Sequence, residues 1–345
     1  MSLRVAPLKD DADSWDEFVA RRGCLYQSWG FSQCLREGIG HRILRLGASD
    51  DSGLRACLSL ALIKSPLFGR FAVSLPVSDH AGLCYEDEAA AAALLNELPA
   101  LLREEGLDSL ELRQLRERPP LADLPRSEHK LTLELELPQD SELLWKELKA
   151  KVRNLVRKGQ KLEMDYRQGS EELLDTFYTI YARNLRDLGT PCYPKRFFAA
   201  LLRHFPGKAA IHIATLPPED LPIAVGFTLQ DQRRQQIPFA ASLTEYRRHA
   251  PNMFLYWKIL EDAIERGCTV FDFGRSTRDS GTHRFKKQWG ATERPLPWSY
   301  QLARGAEIPD TRVDSPRYRL AIQTWKKLPV AVSVWMSERI VRFLP

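Results

Sequence analysis

The sequence lacks the residue patterns of several large protein classes. Its six cysteines include no C-x-x-C pair and show no regular spacing, which indicates a reducing compartment rather than a disulfide framework or a zinc site. The seven histidines are scattered without ligand spacing, so no metal site is predicted. The N-terminus is charged and lacks the apolar core of a signal peptide, and the most apolar region, 54–77, is interrupted by Lys64 and Arg70. We therefore expect a cytoplasmic protein without a membrane-spanning segment.

The short motifs of common enzyme families are also missing. The chain contains no G-x-x-x-x-G-K-[ST], no G-x-S-x-G and no H-E-x-x-H, which argues against P-loop, α/β-hydrolase and zincin sites. The letters DFG at 272–274 match protein kinases by chance, because no glycine-rich loop precedes them and no H-R-D motif exists. The functional residues must therefore be sought outside these motifs.

The composition is that of a globular protein. With 345 residues, of which 44% are apolar and 28% charged, the chain can bury a substantial core and is long enough for two domains. The net charge of +5 is a mild excess. It favours anionic ligands without requiring a nucleic-acid partner.

Apolar periodicity and turn residues predict an order of helices and strands. The first half is predicted to contain helices near 14–21 and 29–37, strands near 42–47, 54–64 and 71–77, a helix at 88–105 that ends at Gly106, and a strand at 107–115. The second half is predicted to contain a strand at 130–137, a helix from Asp140 or Ser141 to about Lys158, helices near 171–187 and 195–203, strands at 209–216, 221–230 and 235–244, a helix from Pro251 to Gly267, and a final strand.

Two short stretches suggest that the domain is duplicated. Alignment of GLDSLELR, from Gly106, with GCTVFDFG, from Gly267, places Glu111 over Asp272, and a helix, a glycine and a strand follow in the same order in both. The sequence therefore predicts an α+β protein built from two similar domains with mostly antiparallel sheets flanked by helices. We expect domains at 1–128 and 129–310, followed by a helical extension at 311–345.

The stretch FDFGRSTRDSGTHRFKKQWG, residues 271–290, carries the first candidate site. Phe271 and Phe273 fall on one side of a strand and Asp272 on the other, because side chains alternate along a strand. We expect Asp272 to lie where the strand ends. Gly274 then permits a turn, and Arg275 opens a polar loop that reaches 281.

Two cationic stretches form the second candidate site. In LKAKVRNLVRKGQK, the cations Arg153, Arg157 and Lys161 are spaced by four and share one helical face, and Lys158 lies beside them. In YRRHAPNM, Arg247 and Arg248 precede a helix, and the N-terminus of a helix attracts phosphate and carboxylate groups. These stretches predict an anionic substrate.

Each candidate also has a structural explanation. A helical stripe of arginine and lysine is most often a solvated face. Asp272 could cap a turn or pair with an arginine in a structural ion pair. Lys286 and Lys287 could both be exposed surface charges, and Trp289 could belong to the core.

Taken together, these stretches resemble a known family. The run from PNMFLYWKILEDAIERGCTVFDFGRS to GTHRFKKQWGATERPLPWSY, with LKAKVRNLVRKGQK and RDLGTPCYPKRFF before it, resembles the FemAB-like branch of the GNAT acyltransferases. It is most similar to FemAB-family proteins associated with exosortase and PEP-CTERM systems. The resemblance extends to SPLFGRFAVSLP in the first half and YRLAIQTWKKLP near the end, so it covers nearly the whole chain.

The resemblance implies two tandem GNAT-like domains and an amide-forming reaction. FemAB enzymes move an aminoacyl group from aminoacyl-tRNA to an amine on a peptidoglycan precursor, and related members transfer other acyl groups. The chain is therefore expected to be an acyl- or aminoacyltransferase that acts on an amine of a cell-envelope, peptidoglycan or exopolysaccharide precursor. No tightly bound cofactor is implied, and the donor would be an aminoacyl-tRNA, an acyl-CoA or an acyl carrier.

The resemblance also implies roles for individual residues. Lys286 matches a lysine near the reacting ester, Arg153 and Arg157 match anion-binding arginines, and Asp272 matches an acidic residue at a strand end. An ammonium group can stabilise the oxyanion that forms when an amine attacks an ester, and a carboxylate can accept the proton of that amine. The expected site comprises Lys286 and Asp272 as catalytic residues and, as substrate-binding residues, Arg153, Arg157, Lys158, Arg247, Arg248, Arg275 and Trp289.

The sequence departs from the family at two places, and two functions stay open. YRRHAPNM lacks the glycines of the usual R/Q-x-x-G-x-G/A loop, so a standard acetyl-CoA site is not expected. Asp79 and His80 stand where relatives tend to carry a tyrosine and glycines, which leaves the acceptor open. The alternative to an enzyme is a non-catalytic module that binds an anionic glycan, a lipid head group or RNA. A cleft shared by Lys286, Asp272, Arg153 and Arg157 would favour the enzyme, and separate surfaces would favour the module.

The C-terminal segment from Pro316 to Pro345 is amphipathic. Its apolar positions are Leu320, Trp325, Leu328, Val332, Trp335 and Ile340. Its basic positions are Lys326, Lys327, Arg339 and Arg342. We expect this segment to dock on the protein itself. Peripheral attachment to an anionic membrane, at its inner face, is the alternative.

Overall fold

The chain forms two compact units. The computed structural model describes residues 3–66, 68–116, 119–127, 130–309 and 316–344, with the backbone alone at 316–319. Unit 1 consists of Met1–Lys130, Pro295–Arg312 and Ile340–Pro345, and unit 2 of Leu131–Arg294 and Val313–Arg339. This division differs from the expected boundaries, because residues 298–302 return to the sheet of unit 1. The start of the expected extension, 311–315, lies outside the described residues.

The predicted elements occur in the predicted order. Those up to residue 127 are β1 (Arg4–Pro7), α1 (Ala12–Arg22), α2 (Trp29–Gly38), β2 (Arg42–Asp50), β3 (Gly53–Ser65), β4 (Gly69–Val73), β5 (Cys84–Tyr85), α3 (Glu88–Glu105), β6 (Ser109–Arg113) and β7 (Arg126–Ser127). Those that follow are β8 (Lys130–Glu136), α4 (Ser141–Glu147), α5 (Ala150–Lys161), β9 (Asp165–Gly169), α6 (Leu174–Leu188), α7 (Lys195–His204), β10 (Ala209–Leu216), β11 (Leu221–Asp231), β12 (Arg234–Ser242), α8 (Pro251–Glu265), β13 (Val270–Thr277), α9 (Gly281–Lys287), β14 (Thr292–Pro295), β15 (Trp298–Leu302), α10 (Pro316–Trp325) and α11 (Val330–Ile340). The structure adds the short strands β1, β5, β7, β9, β14 and β15 to the predicted elements.

Unit 1 contains one mostly antiparallel sheet. Its described strands follow the order β1-β2-β3-β4-β6-β15-β7, with β5 paired to β3, and β4 pairs with β6 in parallel. Helix α3 buries Ala90, Leu94, Leu98 and Leu102 at a spacing of four, which packs one helical face onto the core. The predicted helix at 88–105 is confirmed, and Gly106 ends it in the left-handed conformation.

Unit 2 contains a second sheet with helices on both faces. Its described strands follow the order β14-β8-β13-β12-β11-β10-β9. A Cβ atom at Gly226 of β11 would meet Leu255 and Ile259 of α8, whereas the ring of Phe227 packs on Phe177 of α6. Because neighbouring residues of a strand point to opposite faces, α8 and α6 cover opposite sides of the sheet.

Three predicted elements differ from the structure. The helix expected from about 140 to 158 is broken into α4 and α5, because Leu148 and Lys149 adopt extended backbone angles. The strand expected at 71–77 ends at Val73. The loop expected to open at Arg275 begins later, because β13 continues to Thr277.

The C-terminal helices dock on unit 2. Arg186 of α6 donates a hydrogen bond of 2.6 Å to the carbonyl of Leu328, and Ser337 of α11 accepts one of 3.1 Å from the N–H of Cys192. Helix α11 buries Ser333 and Ser337 and leaves Trp335 57% exposed. Among the described helices, none combines the length and hydropathy that crossing a membrane requires.

Candidate functional site

The two strands that flank α8 are paired over a short distance only. Strand β12 pairs with β13 in parallel at Arg234↔Val270, Gln235↔Phe271 and Gln236↔Asp272, and the pairing ends there. Strand β12 then continues to Ser242 beside β11, through a register shift next to Pro238, which has no N–H to donate. Strand β13 continues to Thr277 without further pairing to β12. The space between β12 and β13 beyond their last residue pair is called the strand gap.

Asp272 lies at the base of the strand gap but inside the sheet. Its side chain is 0% exposed. Its Oδ1 accepts hydrogen bonds from Thr132 Oγ1 at 2.5 Å and from the N–H of Gly274 at 2.8 Å, and its Oδ2 accepts from Arg234 at 2.7 Å and from Gln236 at 3.1 Å. The expectation that Asp272 stands at the end of the strand is therefore wrong, because β13 runs five residues further and neighbours on both sides enclose the carboxylate.

Arg234 balances the charge of this carboxylate. Its guanidinium also donates to Glu134 of β8 at 2.6 Å. Burial works against the charged form of Arg234, but the carboxylates of Asp272 and Glu134 outweigh it, and the net effect raises the pKa of Arg234 above its ordinary value. The structure thus agrees with the structural ion pair that was the alternative for Asp272, and its role as a base stays a prediction.

Sequence reasoning did not identify the partners of Asp272. Thr132 and Glu134 lie two residues apart on β8, and Arg234 and Gln236 lie two residues apart on β12. Side chains two apart in a strand share a face. Polar residues at alternate positions of both strands were therefore a usable signal, but only once β8 and β12 were known to flank β13.

Lys286 meets β13 just beyond Asp272. Its Nζ donates hydrogen bonds of 2.8 Å to the carbonyl oxygens of Gly274 and Arg275. Consecutive carbonyls of a regular strand point in opposite directions, and the positive φ of 74° at Gly274 turns both toward one ammonium group. Lys286 is 9% exposed, so its ammonium is anchored on β13 rather than free in solvent.

The residues around Lys286 on α9 have other roles. The neighbouring Lys287 is exposed and pairs with Glu293 at 2.8 Å, and His283 contacts the same carboxylate at 3.0 Å. These partners, Lys287 first, lower the pKa of Glu293 below its ordinary value. Trp289 is buried against Tyr256, which is the core position stated as its alternative.

A basic cavity lies at the start of α8. Its volume is about 540 Å³, and it is lined by Asn154, Arg157, Lys158, Lys161, Leu162, Arg248 and His249. Helix α5 reaches this position because Gly159 packs directly on α8: a Cβ there would lie 2.7 Å from Cβ of Phe254. Four cationic side chains therefore converge where the N–H groups of α8 begin.

Three of the predicted substrate-binding arginines lie outside this cavity. Arg153 donates hydrogen bonds to the carbonyls of Trp145, Lys146 and Leu148 at 3.0 to 3.3 Å, and so caps the end of α4. Arg247 is exposed and does not line the cavity. Arg275 lies on β13 and is half-buried. The predicted face of Arg153, Arg157 and Lys161 is thus divided, and His249 joins the cavity instead.

Helix α8 connects the two parts of the candidate site. At its first turn, Met253 Sδ lies 3.4 Å from Nε2 of Gln288, which follows α9 directly. One turn later, the ring of Tyr256 contacts Phe285 on α9. Neither Asp272 nor Lys286 lines the basic cavity, but α8 contacts both α5, which carries cations of the cavity, and α9, which carries Lys286. No cluster of three or more His, Cys, Asp or Glu in the described part of the chain could hold a metal ion.

Comparison with known proteins identifies the fold. Residues 146–287, which include the basic cavity, Asp272 and Lys286, match the family model of the acetyltransferase (GNAT) domain. The crystal structure of FemX is similar with a TM-score of 0.68 and 14% identity, over 85% of this chain and 96% of that one. L-PGS from Bacillus licheniformis is similar with a TM-score of 0.58 and 12% identity, over 96% of this chain and 97% of that one.

A third structure has a tandem arrangement in its own description. It is a tandem GNAT protein from the clavulanic acid biosynthesis pathway, with a TM-score of 0.54 and 14% identity, over 90% of this chain and all (100%) of that one. No curated protein sequence matches this chain. The chain is thus an α+β protein with two tandem GNAT-like domains, and the matched domain supports N-acyl transfer as its general class of activity.

Proposed function

We propose that this protein transfers an acyl or aminoacyl group from a phosphate-bearing donor to an amine of a cell-envelope precursor, in peptidoglycan or exopolysaccharide. The observation that carries the proposal is the basic cavity at the start of α8, inside the matched GNAT domain. It agrees with the FemAB resemblance of the sequence and with the similar fold of FemX. The association with exosortase systems rests on the sequence resemblance alone.

The donor is held by side chains more than by backbone N–H groups. Pro251 is the first residue of α8 and has no N–H, and the N–H of Ala250 is already bonded to the carbonyl of Arg247. Ala250 adopts a φ of 54°, a conformation that favours glycine, so the backbone turns as a glycine-containing loop would. Arg157, Lys158 and Arg248 then supply the positive charge. The phosphates of an aminoacyl-tRNA and those of an acyl-CoA share the chemistry that these cations recognise.

The strand gap is the proposed place of the reaction. When the amine attacks the donor carbonyl, a C–N bond forms, negative charge collects on the carbonyl oxygen, and the alcohol or thiol of the donor then leaves. Lys286 offers its positive charge to that oxygen from its anchored position on β13. We assign Asp272 a structural role, which is to hold in place the strand β13 on which Lys286 is anchored. Both carboxylate oxygens of Asp272 already accept hydrogen bonds from neighbouring side chains. The proton of the amine would then leave to water or to the departing group.

One observation favours a non-catalytic module instead. Neither Asp272 nor Lys286 lines the cavity, which is the outcome expected of separate binding and structural sites. On this alternative, the cavity binds an anionic glycan, a lipid head group or RNA, and Lys286 only closes the kink of β13.

The test begins with the intact chain and two probes. Binding of acetyl-CoA and of total aminoacylated tRNA is measured for the parent and for Lys158→Glu/Arg248→Glu. We expect the double variant to bind the preferred probe at least about tenfold more weakly, because two phosphate-attracting charges are reversed. The control is Lys208→Glu/Arg304→Glu, which makes the same charge change at exposed residues outside the cavity. Equal binding by both variants and the parent would place the donor elsewhere.

Catalysis is tested separately with the probe that binds. Mass spectrometry follows transfer of the acyl or aminoacyl group to amine-bearing envelope precursors. Binding with transfer supports the enzyme. Binding without transfer to any precursor, together with release of the probe unchanged, supports the non-catalytic module.

Peripheral membrane contact is proposed for the outward face of α11. This helix buries small polar residues, Ser333 and Ser337, and exposes Val332 and Trp335, the reverse of an ordinary amphipathic helix. The guanidinium of Arg339 lies 3.9 Å from the ring of Trp335. A tryptophan beside a cation suits the interface of an anionic membrane. Such contact would bring the protein to lipid-bound precursors.

A further inference from the structure

Unit 1 contains a smaller cavity at one end of its sheet. The cavity has a volume of about 270 Å³, and its polar and apolar lining includes Gln114, Arg116, Arg126, Ser299, Leu121 and Pro297. Strand β15 brings these residues together, because Ser299 lies opposite Arg126 of β7 on one side and opposite Leu112 of β6 on the other. Gln114 follows β6 directly. We call this space the Gln114 cavity.

Gln114 is buried without a hydrogen-bond partner for its amide nitrogen. The residue is 4% exposed, and its Nε2 has no partner in the structure as described. The amide fits because residue 82 is glycine: a Cβ there would lie 2.2 Å from Nε2 of Gln114. Buried amide groups are nearly always hydrogen-bonded, since a buried donor without an acceptor loses its bond to water and gains nothing. Gln114 also lines the cavity, so a turn of its side chain away from Gly82 would bring this unbonded donor to the acceptor of a ligand.

The neighbouring arginine has a different role. Arg113 donates to Glu111 at 2.6 Å and to the carbonyl of Ser78 at 3.0 Å, and its guanidinium lies 4.2 Å from the ring of Trp298. Tyr300 donates to the other oxygen of Glu111 at 2.6 Å. The charge of Arg113 is therefore balanced inside the sheet. The positive charge at the Gln114 cavity comes from Arg116 and Arg126, which lie at its exposed rim.

From this arrangement we infer that the Gln114 cavity is a second anion-binding site, which takes the phosphate or carboxylate group of a small molecule. Two guanidinium groups suit the oxygens of such a group, and the amide of Gln114, once turned from Gly82 toward the cavity, supplies a further donor. Ligand pockets usually span roughly 300–1,000 Å³. The Gln114 cavity therefore holds one anionic group and the atoms next to it, which pack on Leu121 and Pro297, rather than a whole cofactor. The inference does not depend on the proposed transfer reaction.

Calorimetric titration of the intact chain tests the inference. The probes are inorganic phosphate, glycerol 3-phosphate and acetate, with glycerol as the uncharged control. We expect saturable binding of an anionic probe to the parent and none of glycerol. Tighter binding of either phosphate or acetate identifies the preferred anion. Absence of binding by all three anions would overturn the inference.

Three variants locate the bound anion. Arg116→Gln/Arg126→Gln and Gln114→Leu should each bind the preferred probe at least about tenfold more weakly, or about 1.4 kcal/mol. Gln114→Leu should also melt at the same or a higher temperature than the parent, because an unsatisfied buried donor is removed. The basic-cavity variant Lys158→Glu/Arg248→Glu serves as the control and should keep the binding to unit 1. Loss of probe binding only in that control would show that the anion binds in unit 2 and would overturn the inference. If Gln114→Leu does not fold, Arg116→Gln/Arg126→Gln still tests whether the anion binds at this cavity, because both arginines are exposed.

Discussion

Glu111 and Asp272 occupy the same position in the two sheets. Each is the last residue of a parallel pairing that spans three residue pairs, opposite Val73 in unit 1 and opposite Gln236 in unit 2. Each is buried, and each accepts a charged hydrogen bond from an arginine, at 2.6 Å in unit 1 and 2.7 Å in unit 2. The alignment of the two stretches by sequence is therefore confirmed in three dimensions, and the shared feature is a buried ion pair at the last residue pair of two parallel strands.

Loss of the Asp272 carboxylate should destabilise the protein. In Asp272→Ala, the guanidinium of Arg234 stays buried with one carboxylate partner fewer, and Thr132 and Gln236 lose their acceptor. We expect the free energy of unfolding to fall by about 3 kcal/mol, as when one partner of a buried pair is removed. Urea denaturation measures it. Glu245→Ala breaks an exposed pair with Arg183 and should cost less than about 1 kcal/mol. Full stability of Asp272→Ala with a specific loss of turnover would instead support a base.

Replacement of Lys286 should lower turnover much more than replacement of its neighbour Lys287. Lys286→Met removes the buried ammonium at the strand gap, and we expect turnover to fall by about 10²-fold with little change in donor affinity. Lys287→Met removes an exposed pair with Glu293 and should leave turnover nearly unchanged. Single-turnover rates with the donor identified above make the comparison, and melting temperatures show whether each variant is folded. Equal rates for the two variants would show that Lys286 has no special part in the reaction.

Substitution of Arg153 should affect the stability of the protein, whereas substitution of Lys158 should affect donor binding. Arg153→Glu removes the group that caps three carbonyls at the end of α4, so it should lower the melting temperature. Lys158→Glu changes an exposed side chain in the basic cavity, so it should weaken donor binding and leave the melting temperature nearly unchanged. Thermal unfolding and probe binding are measured for both. The reverse pattern would mean that Arg153 faces the ligand.

His212 should make unit 2 less stable in acid. Burial, with a smaller contribution from Arg266, lowers the pKa of His212 from its ordinary 6.5 to about 3, and the ring contacts Tyr166 and Thr228. The unfolded chain therefore takes up a proton below about pH 6.5, and the folded protein does not do so until about pH 3. Stability is fully present above pH 6.5 and falls with pH in this window, by up to about 1.4 kcal/mol per pH unit.

Removal of the His212 imidazole should make the free energy of unfolding less dependent on pH. We expect the unfolding free energy of His212→Gln to vary less between pH 6.5 and 3 than that of the parent, whatever its absolute value. His204→Gln serves as the control for loss of a histidine elsewhere in the unit. A native-state titration of His212 near pH 6.5, followed by NMR, would contradict the burial argument.

The outward face of α11 should bind anionic membranes. The intact chain should float with vesicles that contain phosphatidylglycerol and should not float with phosphatidylcholine alone, because apolar insertion and charge act together. Val332→Ser/Trp335→Ser should abolish flotation. The matched control, Leu188→Ser/Leu221→Ser, removes two other exposed apolar side chains of unit 2 and should float like the parent. Failure of the parent to float on either vesicle excludes the membrane contact.

Local sequence determined several elements of this protein. The helix at 88–105 follows from a capping Asp87, a stripe of apolar residues spaced by four and a terminal glycine, and the structure contains it with the same limits. The duplication could also be read from two short stretches. Such signals are local, because capping and side-chain periodicity involve residues that are close in the chain.

Tertiary structure decided the environment of each charged residue. Arg153 and Arg157 are four residues apart on one helix, but the break between α4 and α5 directs the first to open carbonyls, and the second lines the cavity. Asp272 and Arg234 are brought together by strand pairing across 38 positions, and Thr132 comes from 140 positions away. Periodicity shows which face a side chain takes, but burial and partners depend on elements that are distant in the chain. Desolvation and ion pairing act through space, so only the assembled structure showed that Asp272 is enclosed and that Lys286 is anchored on β13.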